Sequence, residues 1–458
     1  MSPALDLDLI RKYSVPGPRY TSYPPANRFT ADFAGAALDE ALVEDNGVGA
    51  RPLSLYFHLP FCESPCWFCG CNTVVTRRRE AAAEYLDDLE REMRLTARRM
   101  DRMRTVQQIH LGGGTPTFFP PDDLRRLDGL IREVFPHRAP DCEFGAEVDP
   151  RRLTPEHVQA FREMGVNRAS LGVQDTNPQV QVALHRFQPM EMNERAFAWL
   201  REAGITSINV DLIYGLPLQS RASFARTIED VLCLGPDRLS VFAYAHVPWV
   251  KPAQRALADR ARLPDAEERL EMFATAHALL TEVGLVDIGL DHFARPDDAL
   301  AVAQRAGTLQ RNFQGYSTQV GASLYGFGIS AISSTADTYR QNLKTLPQWR
   351  AALAADQLPV ERGVRLSRGD AIRRTVIMRI MCDRRLDYRA ISREIGEDFL
   401  AAFAPEMVRI MQLQEDKLVN VSLSGFEVTP RGVPLLRVIA MTFDATRDCV
   451  PSAHSRTV

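Results

Sequence analysis

Six short β-rich runs, each followed by helix-like sequence, constrain the fold of this chain more than any other feature. They are LSLYFHLP (53–60), QQIHLGG (107–113), EFGAEVD (143–149), RASLGVQ (168–174), SINVDLIYG (207–215) and RLSVFAYAHV (238–247). Strands that alternate with helices form βα units, and such units build a parallel sheet. A closed barrel of eight units takes about 250 residues. Six units between 53 and 247 therefore predict an α/β fold with an incomplete (β/α)6 barrel. LVDIGLDHFA (285–294) reads as a candidate further strand.

The flanks differ in character. Residues 1–50 read as an N-terminal arm, because Gly17 to Phe29 (GPRYTSYPPANRF) is rich in proline and tyrosine and follows neither period. Residues 51–360 take in the barrel and a post-barrel segment. From 361 to 458 three stretches read as helices: SRGDAIRRTVIMRIMCDRR, FLAAFAPEMVRIMQLQEDKLV and RGVPLLRVIAMTF. VNVSLSGFEVT alternates around a Ser-Gly turn, which predicts one hairpin in a small, mostly helical, winged-helix-like domain.

Composition narrows the class. Of 458 residues, 45% are hydrophobic and 25% charged, which excludes a disordered chain, a coiled coil or collagen. No apolar run approaches the roughly 18–20 residues of a membrane span. MSPALDLDLIRKYSVPGP lacks the apolar core of a signal peptide, so a cytoplasmic protein is expected. A formal charge of −3 argues against nucleic-acid binding through a net positive field. Only four of the 55 basic residues are lysines. A GC-rich genome explains most of that bias, although arginine is also the better bidentate partner for carboxylates.

The chemistry starts at Cys62-x3-Cys66-x2-Cys69, with Cys71 close behind. Thiolates this close in one loop do not make an ordinary disulfide framework, and a reducing compartment keeps them free. They are metal ligands or an idle group. Zinc favours four ligands, usually as CxxC pairs, and an iron–sulfur cube normally takes four thiolates. Three thiolates can hold three irons and leave the fourth open, and this spacing after a first strand favours that arrangement. Cys142, Cys233, Cys382 and Cys449 are scattered and read as packing or surface thiols.

Two further features converge on the same place. Gly112-Gly113-Gly114-Thr115-Pro116-Thr117 follows the second strand, where glycine lets backbone approach a ligand closely or simply makes a tight turn. Glu147, Gln174, Asp211, and Ala245 with His246 lie in or near the C-terminal ends of the third to sixth strands. In barrel enzymes that rim carries the active site.

Cys62-x3-Cys66-x-Phe68-Cys69 on an incomplete barrel resembles the radical S-adenosylmethionine (SAM) superfamily. Gly70-Cys71, the arm Gly17 to Pro24, RNFQGYSTQ (311–319) and HFARPDDALAVAQ (292–304) resemble one group within it, the oxygen-independent coproporphyrinogen III oxidases (dehydrogenases). The likeness spans nearly the whole chain. It departs at His185, where the group has asparagine, while the adjoining Arg186 matches.

The resemblance implies a [4Fe-4S] cluster on Cys62, Cys66 and Cys69, with Cys71 not a ligand and SAM on the open iron. Tyr56, Gly113, Glu147 and Ile332 would line that SAM. Phe68, Gly114, Thr115, Gln174, Arg186, Asp211 and Ala245 would line a second SAM. No protein side chain is assigned as catalytic, since the radical arises at the cluster-bound SAM. The implied reaction belongs to haem (porphyrin) biosynthesis: two propionates of coproporphyrinogen III become the vinyls of protoporphyrinogen IX. An electron donor and an acceptor, both unidentified, are required, and the implied enzyme is a monomer. The arm would lie over the active site, with Phe313 and Gln314 near the cofactors and Arg19 a candidate for substrate carboxylates. The rival is a related haem chaperone, which lacks the arm and carries HNxxYW where this chain has RNFQGY.

Overall fold

The computed structural model describes residues 6–13, 15–47, 51–258 and 262–446. Cys449, and the ends of the N- and C-terminal stretches discussed above, lie outside the described residues. The chain divides into two compact units, Phe29–Asp265 with Gly321–Arg365, and Met1–Arg28 with Ala266–Val320 and Leu366–Val458.

The first unit opens with α1 (Ala36–Gly47) and then alternates strand and helix. The order is β1 (Leu53–Leu59), α2 (Glu80–Ala97), β2 (Val106–Gly113), α3 (Pro121–Val134), β3 (Arg138–Val148), α4 (Pro155–Met164), β4 (Arg168–Gln174), α5 (Pro178–Ala183), α6 (Met190–Glu202), β5 (Ser207–Tyr214), α7 (Arg221–Leu232) and β6 (Arg238–Ala243). β1 to β6 lie side by side in chain order and pair in parallel. The expected six strands are all present. Local chemistry starts and stops the helices: Thr154 caps α4 and Gly165 ends it at φ +88°, and Ser220 with Ser223 forms a capping box on α7. Every residue of β1 except Tyr56 is buried, as expected of a strand at the centre of a covered sheet.

The sheet continues on the other edge of β1, which the sequence pattern does not announce. β7 (Ser323–Phe327) pairs with β1 in parallel, and β8 (Ile332–Ser334), β9 (Thr338–Asn342) and β10 (Val360–Arg365) follow as an antiparallel meander. All five residues of β9, TYRQN, are buried although four are polar or charged. A buried polar network accounts for this. Glu92 accepts from Gly328 N (2.7 Å), Asn342 Nδ2 (2.6 Å) and Trp349 Nε1 (3.1 Å). Asp45 of α1 accepts from Arg104, Ser323 and Tyr325.

In the second unit, 285–294 is not one strand. Val286–Gly289 and His292–Ala294 form an antiparallel pair, because Gly289 and Leu290 both take positive φ and turn the chain between them. The C-terminal part is a helix Arg368–Asp383 with a Ser367 capping box, a helix Tyr388–Ile395, a helix Ala404–Glu415 and a three-stranded sheet. The expected hairpin is present as Val419–Val421 against Gly425–Val428, and Arg385–Asp387 adds a third strand. Leu9, Ile10, Tyr20 and Tyr23 of the N-terminal segment join this unit's core with Ile380, Phe399 and Phe443. Tyr20 donates to Asp444 (2.9 Å), and the buried Arg437 donates to the Gly17 and Pro18 carbonyls. Among the described residues no helix is long and apolar enough to cross a membrane.

Candidate active site on the barrel rim

All fourteen candidate site residues belong to the barrel unit. The loop between β1 and α2 carries the cysteines and is closed at its base by a short parallel pair, Phe61–Cys62 against Val74–Val75. It docks on the segment after α5: Trp67 N donates to Leu184 O (3.1 Å), and the Trp67 ring stacks on His185 with centroids 5.2 Å apart. His185 Nδ1 lies 2.9 Å from Pro65 O, so the residue that departs from the family pattern fastens the cysteine loop. Cys62, Cys66 and Cys69 are half-buried and Cys71 is exposed.

The three thiols are not equivalent. Cys66 Sγ accepts from Arg151 Nη2 (3.4 Å) and Arg186 Nη1 (3.5 Å). Cys69 Sγ accepts from Cys71 N (3.4 Å), and hydrogen bonding from Cys71 pulls its thiol well below the usual range. Burial, then the neighbouring Cys69 and Cys66, pushes the Cys62 thiol up to about 12. Among the described residues no three His, Cys, Asp or Glu side chains are gathered as ligands of one metal ion. Thiolates on a cluster bind separate irons and stand further apart. Three soft donors in one loop, with two guanidinium groups ready to stabilise a thiolate, fit an iron–sulfur cluster.

Around the cysteines, the glycines serve the protein itself. A Cβ on Gly112 would sit 2.7 Å from Glu147 Oε1, one on Gly113 (φ +111°) 2.7 Å from the His58 ring, and one on Gly114 2.6 Å from the Pro60 and Phe61 carbonyl oxygens. Gly113 N donates to Glu147 Oε2 (3.0 Å), and His110 Nε2 lies 3.4 Å from Oε1. Enclosure opposes the charge on Glu147, but His110, Gly113 N and His58 outweigh it and hold the carboxyl below the usual range. Tyr56 stacks on His110 (6.0 Å), and its hydroxyl meets His58 Nδ1 at 3.1 Å. Ile332 adjoins the same strand: Tyr56 is in register with Gly326, whose Cα approaches Ile332 O so closely that a Cβ would be 2.6 Å away.

A second group lies across β4 and β5. Arg186 is buried and donates to Gly172 O (2.6 Å) and to both oxygens of Asp149 (3.3 and 3.4 Å), and its Nε has no partner. A Cβ on Gly172 would strike Gln174 Nε2 at 2.7 Å and Arg186 Nη2 at 3.1 Å, so that glycine makes room for both candidates. Burial works against the charge on Asp149, yet Arg186 and Arg151 hold its carboxyl down at about 2. Asp211 accepts from Ser170 Oγ (2.9 Å) and Asn209 Nδ2 (2.8 Å). Its carboxyl is nevertheless raised, chiefly by burial and further by the charge on Glu147. Gln254, fully buried, ties two more candidates together by donating to Phe68 O (2.9 Å) and Ala245 O (3.2 Å). Thr115 N donates to Phe61 O (3.0 Å), and its hydroxyl meets Thr117 at 2.7 Å. Tyr244 OH lies 3.1 Å from His246 Nδ1.

Asp149, Arg151 and Gln254 were not singled out from the sequence. Asp149 and Arg151 follow Glu147 in EVDPRR, and a carboxylate beside arginines at a strand end was the available signal. Gln254 offered none. Phe313 and Gln314 belong to the other unit, around the turn between Gln310–Asn312 and Gly315–Ser317.

Comparison with known proteins gives a consistent result. The radical SAM superfamily matches residues 56–231 and the HemN C-terminal domain residues 366–435. The chain is 44% identical over 442 residues to a Helicobacter pylori protein named oxygen-independent coproporphyrinogen III oxidase, covering 96% of each. It is 46% identical to the protein of that name from Salmonella typhimurium, covering 96% of this chain and 95% of that one. A solved structure described as coproporphyrinogen III oxidase from Escherichia coli, a radical SAM enzyme, superposes with a TM-score of 0.91 at 44% identity. That match covers 97% of this chain and 100% of the other.

Proposed function

The chain belongs to the oxygen-independent coproporphyrinogen III oxidase family of radical SAM enzymes, and on that footing we propose that it converts coproporphyrinogen III to protoporphyrinogen IX in haem biosynthesis. Two propionate side chains each lose a β-hydrogen, CO2 and one further electron and become vinyls. Cys62, Cys66 and Cys69 would hold a [4Fe-4S] cluster, which together with SAM would supply the 5′-deoxyadenosyl radical that takes the hydrogen. The observation that carries this reading is the pair of guanidinium groups on Cys66 beside a carboxylate-lined rim, in a chain related to the oxidases over 96% of its length.

The residues have distinct tasks. Glu147, kept ionised and fixed by Gly113 N, would help hold the SAM bound at the cluster, with Tyr56 and Ile332 lining the same site. Gln174, Arg186 and Asp211 would surround a second SAM, with Phe68, Gly114, Thr115 and Ala245 completing its lining. Arg186 retains an unpartnered buried Nε, and an arginine suits the methionine carboxylate. The apolar residues Val180, Leu184, Leu216 and Tyr244, with Trp67, Phe68 and Ile213 packed against them, exclude water from that side of the site. The protein positions and shields, and the cofactors carry the difficult chemistry. The enzyme acts as a cytoplasmic monomer with a separate electron donor and acceptor.

The test is anaerobic. The purified protein should be brown and bleach on reduction, and a colourless, zinc-bearing protein would refute the cluster. Mixed with reductant, SAM and coproporphyrinogen III under nitrogen, it should yield 5′-deoxyadenosine, a tricarboxylic intermediate and protoporphyrinogen. Absence of all three would overturn the proposal, and stoichiometric haem binding in their place would favour the chaperone.

A further inference from the structure

Of the four thiols on the cysteine loop, Cys66 alone among the described residues accepts from side-chain donors that carry full positive charge, Arg151 and Arg186. The Arg151 guanidinium is held rigidly. Its Nε donates to both oxygens of Asp149 (3.0 and 3.2 Å) and its Nη2 to Oδ2 (2.6 Å), while the Arg151 backbone N also meets Oδ1 at 3.1 Å. With one edge locked on the carboxylate, the same Nη2 points at Cys66 Sγ from 3.4 Å. The side chain is 15% exposed, so its field on the sulfur is weakly screened. Arg151 also lines a cavity of about 340 Å³ together with Arg79, Arg152 and His157. Arg152, which lines the same cavity, pairs instead with Glu63 (2.9 Å), which makes it a natural control.

We propose that Arg151 is a positioning residue that sets the reduction potential of the cluster through its N–H···S contact with Cys66, anchored by Asp149. The inference rests on the cluster assignment above. Reduction adds one electron, supplied by the donor, and makes a cluster held by three thiolates more negative. A cationic N–H donor on a ligand sulfur stabilises that state more than the oxidised one and raises the potential. Arg151 therefore eases electron entry into the cluster.

The experiment is a redox titration of the iron-loaded enzyme followed by electron paramagnetic resonance, without SAM or substrate. Arg151→Met should titrate at a lower midpoint potential than the wild type, and Arg151→Gln, which retains an N–H donor without the charge, between the two. Arg152→Met should leave the potential in place. A fully iron-loaded Arg151→Met at the wild-type potential overturns the proposal, and so does an Arg152→Met shift as large as that of Arg151→Met. If Arg151→Met does not retain iron, Arg151→Gln carries the test, and loss of iron from both shows a merely structural contact and also overturns it. A wild type that holds a redox-active cluster but does not cleave SAM would refute the functional proposal and leave this inference standing.

Discussion

At the scale of single residues, the three consecutive glycines that suggest backbone cleared for a ligand also clear space for groups of the protein, and at Gly113 that group is His58. Gly113→Ala would combine a φ of +111° with a Cβ 2.7 Å from the imidazole, a cost of about 1–3 kcal/mol. A lower denaturation midpoint and weakened SAM binding by calorimetry are expected together, because Gly113 N also holds Glu147. The cysteines divide in the same concrete way. Cys66→Ser should abolish the brown colour, the iron content and activity. Cys142→Ser should keep all three, since the buried Cys142 thiol donates to the Glu143 carbonyl (3.7 Å), away from the cysteine loop in sequence, and burial pushes it up to about 11. The spacing of Cys62, Cys66 and Cys69 was fully legible in the sequence. Their different environments were not, because the partners of Cys66 lie 85 and 120 residues away.

At the scale of elements, helix α2 does more than cover the sheet. Its Glu92 and Tyr85 hold the turn between β7 and β8: Glu92 accepts from Gly328 N, and Tyr85 accepts from Ile329 N (3.2 Å) while donating to His58 O (2.7 Å). Burial raises the Glu92 carboxyl to about 7, against the hydrogen bonds from Gly328, Asn342 and Trp349. The folded pKa then exceeds the unfolded one, so between about pH 4.5 and 7 the native state binds more protons and stability falls as pH rises. The loss levels off above pH 7 and is on the order of 3 kcal/mol for this shift. Glu92→Gln should flatten that part of the pH–stability curve measured by urea unfolding. The βα units are visible in the sequence because hydrophobic period is a local property. Strands β8 and β9 are hidden, because ISS and TYRQN look like loop until Glu92 meets Asn342, Gly326 N meets Ser333 and Arg362 meets Gln341 in the assembled sheet.

At the scale of the whole molecule, the two units draw on distant parts of the chain. The N-terminal segment is an integral piece of the unit that contains the C-terminal helices: Leu9, Ile10, Tyr20 and Tyr23 are buried in its core, and Arg437 depends on the Gly17 and Pro18 carbonyls. A chain beginning at Phe29 would expose apolar surface and leave the buried Arg437 without those acceptors, a loss of several kcal/mol. Calorimetry of the truncated protein should show the transition of that unit moved to lower temperature or missing, with the barrel transition retained.

Local pattern alone determined the succession of βα units, the cysteine triad and the ranks of polar residues in and near the ends of successive strands. Hydrophobic period, loop composition and motif spacing are written in short windows, and short windows suffice to read them. Tertiary structure decided which groups meet. Arg151 and Arg186 reach Cys66, Gln254 joins Phe68 to Ala245, and polar strands enter the sheet only through strand register and loop docking across separations of up to 186 residues for these site contacts. Such contacts depend on the arrangement of the assembled sheet, and no stretch of sequence contains them.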